Sequence, residues 1–215
     1  MNLKTINEKL NEGRQYRDIK VSNLETRADD DGKMIVRGYA TTFNEPYLLY
    51  DWGDYAVYEQ IDPHAFDECD MDDVIMQYNH EGRVFARNKN NTLLLTVDLH
   101  GLEIEAELSG TQIGRQLYEE IKGGYTDKMS FGFVVSEDQR VVTEDHENNK
   151  ITVMRTITKI KKLYDVSAVS IPANDATSIS ARNFCEGVIE EIKKELLVRE
   201  QRERQKQKIR ILSEV

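Results

Sequence analysis

Acyl transfer by a serine side chain makes three demands on a protein. The hydroxyl must be exposed and rigidly held, and a neutral imidazole must reach it to take its proton. A third group must fix the imidazole tautomer and stabilise the imidazolium. The sequence offers few residues for these roles. Its four histidines are His64, His80, His100 and His146. His80 closes the run Val74-Ile75-Met76-Gln77-Tyr78-Asn79-His80. Read as a strand, that run places His80 on the face of Val74, Met76 and Tyr78 by two-residue alternation, at the end of an apolar surface where the turn Glu81-Gly82 begins. A half-buried base is presented in this way. Spacing alone favours the plainer role of a core-edge histidine bonded to a carbonyl. His100 and His146 stand in polar turns, and His64 follows Pro63 in a loop.

Ser130 lies in Lys128-Met129-Ser130-Phe131-Gly132-Phe133-Val134. Alternation groups it with Gly132 and Val134 and sends Met129, Phe131 and Phe133 into a core. Gly132 removes a side chain where a substrate backbone could approach. An ordinary strand serine is the commoner occupant of such a position, and Ser167 and Ser170 have that reading with less helpful neighbours. Asp165 sits inside the apolar run from Leu163 to Ile171. A carboxylate buried there needs a partner. Pairing with a histidine accounts for it, and so does an exposed strand end; spacing does not choose between them. The acidic cluster Asp67, Glu68, Asp70, Asp72 and Asp73 lacks EF-hand spacing and its central glycine, so a solvated turn is expected rather than a metal site. No phosphate-cradling glycine loop occurs, and no cofactor is expected.

These side chains need strands to hold them. β-type runs cover Met34–Phe43, Val74–His80, Thr92–Leu99, Leu102–Leu108, Met129–Val135, Val141-Val142, Ile151–Ile160 and Leu163–Ile171. His100-Gly101 implies a hairpin between the third and fourth. One helix interrupts them: Thr111 is its expected N-cap, Ile113, Leu117 and Ile121 share a face, and Gly123-Gly124 ends it. Many strands and few helices suggest a barrel or sandwich with helices outside. Three regions follow: a polar N-terminal arm (1–18, loose or a short frayed helix), a strand-rich domain (19–182), and a charged tail (183–215). In the tail Val188, Ile192 and Leu196 recur every four residues, and Glu190 can pair with Lys194. The tail is read equally well as a solvated, fraying helix or as a docking segment for a partner.

The chain has 215 residues, 39% hydrophobic and 32% charged, enough for one well-buried domain with extensions. A net charge of −10 argues against non-specific nucleic-acid binding. No apolar stretch is long enough for a membrane span, and the first twenty residues lack a secretory core, so no membrane partner and no secretion are expected. Cys69 and Cys185 are the only cysteines, with no paired spacing, which fits a reducing compartment without disulfides.

Six segments, in order, resemble the prohead maturation proteases of tailed phages. They are Gly38-Tyr39-Ala40-Thr41-Thr42-Phe43-Asn44; Ile61-Asp62-Pro63-His64-Ala65-Phe66; Asn79-His80 with Asn91-Thr92-Leu93-Leu94-Leu95; Gly101-Leu102 with Thr111 to Gly124; Met129-Ser130-Phe131-Gly132-Phe133; and Asp165-Val166-Ser167 with Ile171-Pro172-Ala173. The resemblance covers roughly residues 34–182. It implies an α+β, mainly β fold like the herpesvirus assembly protease, a β-barrel surrounded by helices, here with the charged helical tail. It implies a serine endopeptidase that cleaves scaffold, or the scaffold-like arm of the major capsid protein, and commonly itself, inside the prohead in the bacterial cytoplasm. The family's catalytic histidine and serine map to His80 and Ser130. Its third residue, often Glu, maps to Asp165, a shorter carboxylate; the herpesvirus relatives use a second histidine, which keeps His64, His100 and His146 as alternatives. His64 also departs from the family, which usually has Gly there. Homo-oligomerisation stays open. The rival readings are a catalytically inactive scaffolding protein with the same fold, and an unrelated β-rich binding domain in which the three residues stand apart.

Overall fold

A computed structural model describes residues 13–19, 24–28, 32–170 and 179–213. Its dominant feature is one long antiparallel hairpin, β10 (Lys128–Asp145) with β11 (Lys150–Val169). Four separate runs expected from the sequence are thus two strands, continuous through register shifts between Gly132 and Asp138. Bulges of this kind let a long ladder bend and twist without breaking. The tip is closed by Asp145, whose Oδ1 accepts the backbone N–H groups of Glu147 and Asn148, an Asx turn.

β11 is long enough to serve two neighbours. β5 (Tyr55–Ile61) pairs in parallel with its first half, and β6 (Ile75–Tyr78) pairs in parallel with its second. The larger sheet has the order β1-β10-β11-β5-β4, with β7 (Glu81–Arg87) attached through β6; β1 is Gln15–Ile19 and β4 is Tyr47–Trp52. The smaller sheet runs β2-β3-β9-β8, from Glu25–Ala28, Met34–Thr42, Gly101–Glu107 and Leu93–Val97. The expected hairpin about His100-Gly101 is the β8–β9 pair. The strands form two sheets, and no closed barrel is found among the described residues.

The principal core lies between the sheets. Val36, Leu102, Ile104 and Ala106 enter it from one side, and Met129, Phe131, Phe133 and Val166 from the other, all with 0% exposure. Each of these side chains other than Ala106 contributes about 1.5–3 kcal/mol. α1 (Gln112–Lys122) closes this core with Leu117, Tyr118 and Ile121. Thr111 caps it as expected, its side chain accepting the Gly114 N–H at 3.0 Å. α2 (Ile179–Ser213) covers a second cluster of Leu49, Val57, Val153, Cys185, Val188 and Ile192. Burial pushes the Cys185 thiol up to about 12. The tail expected from 183 onward therefore divides: the part carrying Val188 and Ile192 is packed, whereas Leu197, Val198 and Ile209 are exposed.

The expected polar arm also ends in structure. Residues 1–12 lie outside the described residues, but Gln15–Ile19 form β1 on the outer edge of β10. β1 is anchored by charge rather than by apolar burial, which is why its polar composition concealed it. Glu59, fully buried, accepts from Arg17 at 2.5 and 3.1 Å, from Tyr47 at 2.5 Å and from Arg155. Burial raises the Glu59 carboxyl, but the Arg17 and Arg155 charges outweigh it and hold the group down at about 2. Asp138 then links Arg155 to Arg140, which reaches Glu191 on α2.

Candidate active site

Ser130 is placed by the β10–β11 ladder. It lies opposite Ser167, and Gly132 lies opposite Asp165. Residues opposite one another share a face, so Ser130, Gly132, Asp165 and Ser167 all stand on the side away from Phe131 and Phe133. The alternation expected from the sequence holds. The role expected of Gly132 does not. A Cβ there would lie 2.3 Å from Asp165 Oδ2 and 2.9 Å from Arg14 Nε. The space is taken by the carboxylate and its partner, not left for a substrate backbone.

His80 is presented differently from the expectation. The strand stops at Tyr78, which pairs with Glu81, leaving Asn79 and His80 as a two-residue loop. Both have positive φ, 50° and 58°, the signature of a type I′ hairpin turn. The turn, not strand alternation, directs the imidazole. It is tied to the end of β11 by the Asn79 backbone N–H to Ala168 O at 3.0 Å, and by Asn79 Oδ1 accepting the Ser170 N–H at 3.2 Å.

The three side chains meet. His80 Nε2 lies 2.6 Å from Ser130 Oγ, and His80 Nδ1 lies 2.5 Å from Asp165 Oδ1. An ionised carboxylate can only accept, so Nδ1 carries the proton and Nε2 is left to accept from the serine hydroxyl. Ser167 Oγ donates to the same Asp165 oxygen at 2.7 Å. Arg14 donates to Oδ2. Asp165 is thus fully buried yet satisfied on both oxygens, which answers the burial penalty noted from the sequence.

Ser130 has 0% exposure, against the exposed hydroxyl that the chemistry requires. Tyr16 from β1 lies against His80, ring centroids 4.3 Å apart, and Arg14 lies over the Tyr16 and Tyr164 rings. The His80 side chain keeps 15% exposure.

The other histidines lie elsewhere. His64 is exposed and bonds Asp67 at 3.0 Å; His100 packs edge-on against Tyr39; His146 is exposed in the β10–β11 turn. In the acidic cluster, Asp70 pairs with Lys162, and Asp73 with Arg87 and Lys89. Sequence reasoning gave no role to Arg14, Tyr16 or Asn79, and ranked Ser167 low. The Asp165-x-Ser167 spacing, with both on one face of a strand, was an available signal for Ser167. Asn before His80 was a turn signal. Nothing in the spacing pointed to Arg14.

The arrangement is a serine–imidazole–carboxylate chain on a mainly β scaffold, the constellation of nucleophilic serine enzymes. The chain belongs to the caudovirus prohead serine protease family, whose model matches residues 22–194. No curated protein sequence matches it. Among solved structures it is similar to the bacteriophage T4 capsid assembly protease, gp21, at 11% identity and a TM-score of 0.44, with 73% of this chain and 96% of that one covered.

Proposed function

We propose that this protein is a serine endopeptidase of prohead maturation, with Ser130 as nucleophile, His80 as general base and Asp165 as the residue that orients and stabilises His80. The observation that carries this reading is the unbroken hydrogen-bonded path from Asp165 through His80 to Ser130. His80 Nε2 takes the hydroxyl proton as Ser130 Oγ attacks the scissile carbonyl, and it returns that proton to the leaving amine. Water, deprotonated by the same nitrogen, then hydrolyses the acyl-enzyme. Asp165 holds the productive tautomer and offsets the positive charge that forms on His80. Ser167, which donates to the same carboxylate, supports it in that position.

The substrates in this reading are the scaffold protein or the scaffold-like arm of the major capsid protein, together with the protease's own chain, within the prohead assembling in the bacterial cytoplasm. A prohead serine protease of caudoviruses is the family's description; these substrates and self-processing are our inference from it. The protease domain extends to the packed part of α2, and the exposed remainder is its tail.

The test is intact mass over time for wild type and Ser130→Ala, each co-expressed with the major capsid and scaffold proteins. Fragments that form only with wild type support the reading. Identical masses in assembled shells would favour an inactive assembly protein.

A further inference from the structure

β1 occupies the sheet edge beside Ser130. A peptide bound in extended form needs an open sheet edge beside the nucleophile, where main-chain hydrogen bonds can hold it. The outer edge of β10, from Met129 to Phe133, is such an edge, and β1 fills it as the terminal strand of the sheet. The two run antiparallel, with Asp18 opposite Ser130 and Tyr16 opposite Gly132.

We propose that β1 is a resident substitute for the substrate strand, which keeps the site shut until it is displaced; this rests on the assignment of Ser130 as nucleophile. Two effects act together. The first is steric: Ser130 has no exposure, and the Tyr16 ring lies on His80. The second is electrostatic. Arg14 donates to Asp165 Oδ2, so the carboxylate that should balance an imidazolium already balances a guanidinium. Proton transfer to His80 would then place two cations on one carboxylate, which opposes the first chemical step. Release of Arg14 restores the full charge of Asp165 and the open edge at once.

Two further observations agree. The family match begins at residue 22 and contains Ser130, His80 and Asp165, whereas β1 precedes it. The strand is also fastened from below, through Arg17 to buried Glu59. A segment held only by edge hydrogen bonds would fray; one pinned by a buried ion pair stays until something competes for its place. A substrate present at high local concentration, as inside an assembling shell, is such a competitor.

A fluorophosphonate probe tests this with the full chain. The probe bonds phosphorus to Ser130 Oγ, fluoride leaves, and the hydroxyl proton passes to His80. Labelling is read by intact mass on wild type, Arg14→Gln and Ser130→Ala. The Arg14 side chain is one-third exposed at the sheet edge, so its replacement leaves the core intact. The expected result is an adduct that forms about tenfold or more faster in Arg14→Gln than in wild type, the effect of losing a charge-assisted bond; Ser130→Ala takes no label. Hydrogen exchange of the β1 amides should quicken in parallel. Equal or slower labelling of Arg14→Gln, with Ser130→Ala still unlabelled, overturns the proposal and leaves the nucleophile standing: Arg14 would then be a permanent support of the triad. No adduct in any of the three, each melting cooperatively, overturns the nucleophile assignment and this proposal with it.

Discussion

Gly132 and Asp165 face each other across the central hairpin, and the glycine's missing side chain is the space the carboxylate uses. A methyl group at 132 would stand 2.3 Å from Asp165 Oδ2. Backbone pairing fixes that separation, so the side chain rather than the strand must yield. Gly132→Ala should turn Asp165 off His80 while costing about 1–3 kcal/mol of stability from overpacking. Peptidase assays paired with thermal melts check this. Cleavage should fall by at least about tenfold in protein that is still folded at the assay temperature.

Removal of the groups proposed to react should be far more severe. Ser130→Ala and His80→Ala are expected to abolish scaffold cleavage. Asp165→Asn should retain measurable turnover, about 10⁴-fold reduced, because it supports the imidazole without exchanging protons with substrate. Full activity in Ser130→Ala would remove the nucleophile assignment.

Asn79 holds the turn that aims His80. Its side chain caps Ser170, and its backbone is left-handed at φ 50°. Asn79→Ala forfeits the cap and places an unfavourable residue at positive φ, about 1–2 kcal/mol in all. The expected outcome is a fall in kcat of about tenfold with little change in KM. Asn79→Gly, which suits positive φ but lacks the cap, should recover part of the loss. Equal defects in the two would assign the whole effect to the amide.

Glu59 makes the fold acid-sensitive. The folded carboxyl titrates at about 2, below its ordinary 4.5, because two arginines outweigh the burial that would raise it. Its contribution is therefore complete above about 4.5 and is lost as pH falls towards about 2. Thermal melts should drop across that window. Glu59→Gln leaves Arg17 and Arg155 without a shared counter-charge and should cost about 3–5 kcal/mol at neutral pH, with a shallower acid dependence below it. Urea denaturation of the two proteins at pH 7 and pH 3 measures both effects.

Alternation in Met129–Val134 marked the core face of β10 and put Ser130 with Gly132 on the other. Thr111 and Gly123 marked the ends of α1. These were legible because they depend on neighbours within one element. The β4–β5 hairpin was missed, although Trp52 and Tyr55 flank a Gly53-Asp54 turn in a run of aromatic and apolar residues, a recognisable signal. β7 was missed because Glu81–Arg87 has four exposed residues and little apolar pattern. β1 was unreadable because charge holds it. Its partner for Arg17 is Glu59, 42 residues away, and no local period encodes such a pair.

The site divides in the same way. Sequence supplied the residue types, and its order of motifs supplied the family. It could not bring His80 across 50 residues to Ser130 and 85 to Asp165. That was decided by β11, which takes β10 on one edge and β6 on the other, and by a turn that carries the imidazole back over the sheet. Period-two alternation states which face a side chain occupies. Which strands become neighbours, and in which register, is settled by burial of the shared core and by long-range ion pairs. The tertiary structure alone therefore placed Arg14 on the Asp165 carboxylate and β1 along the edge of β10 beside Ser130.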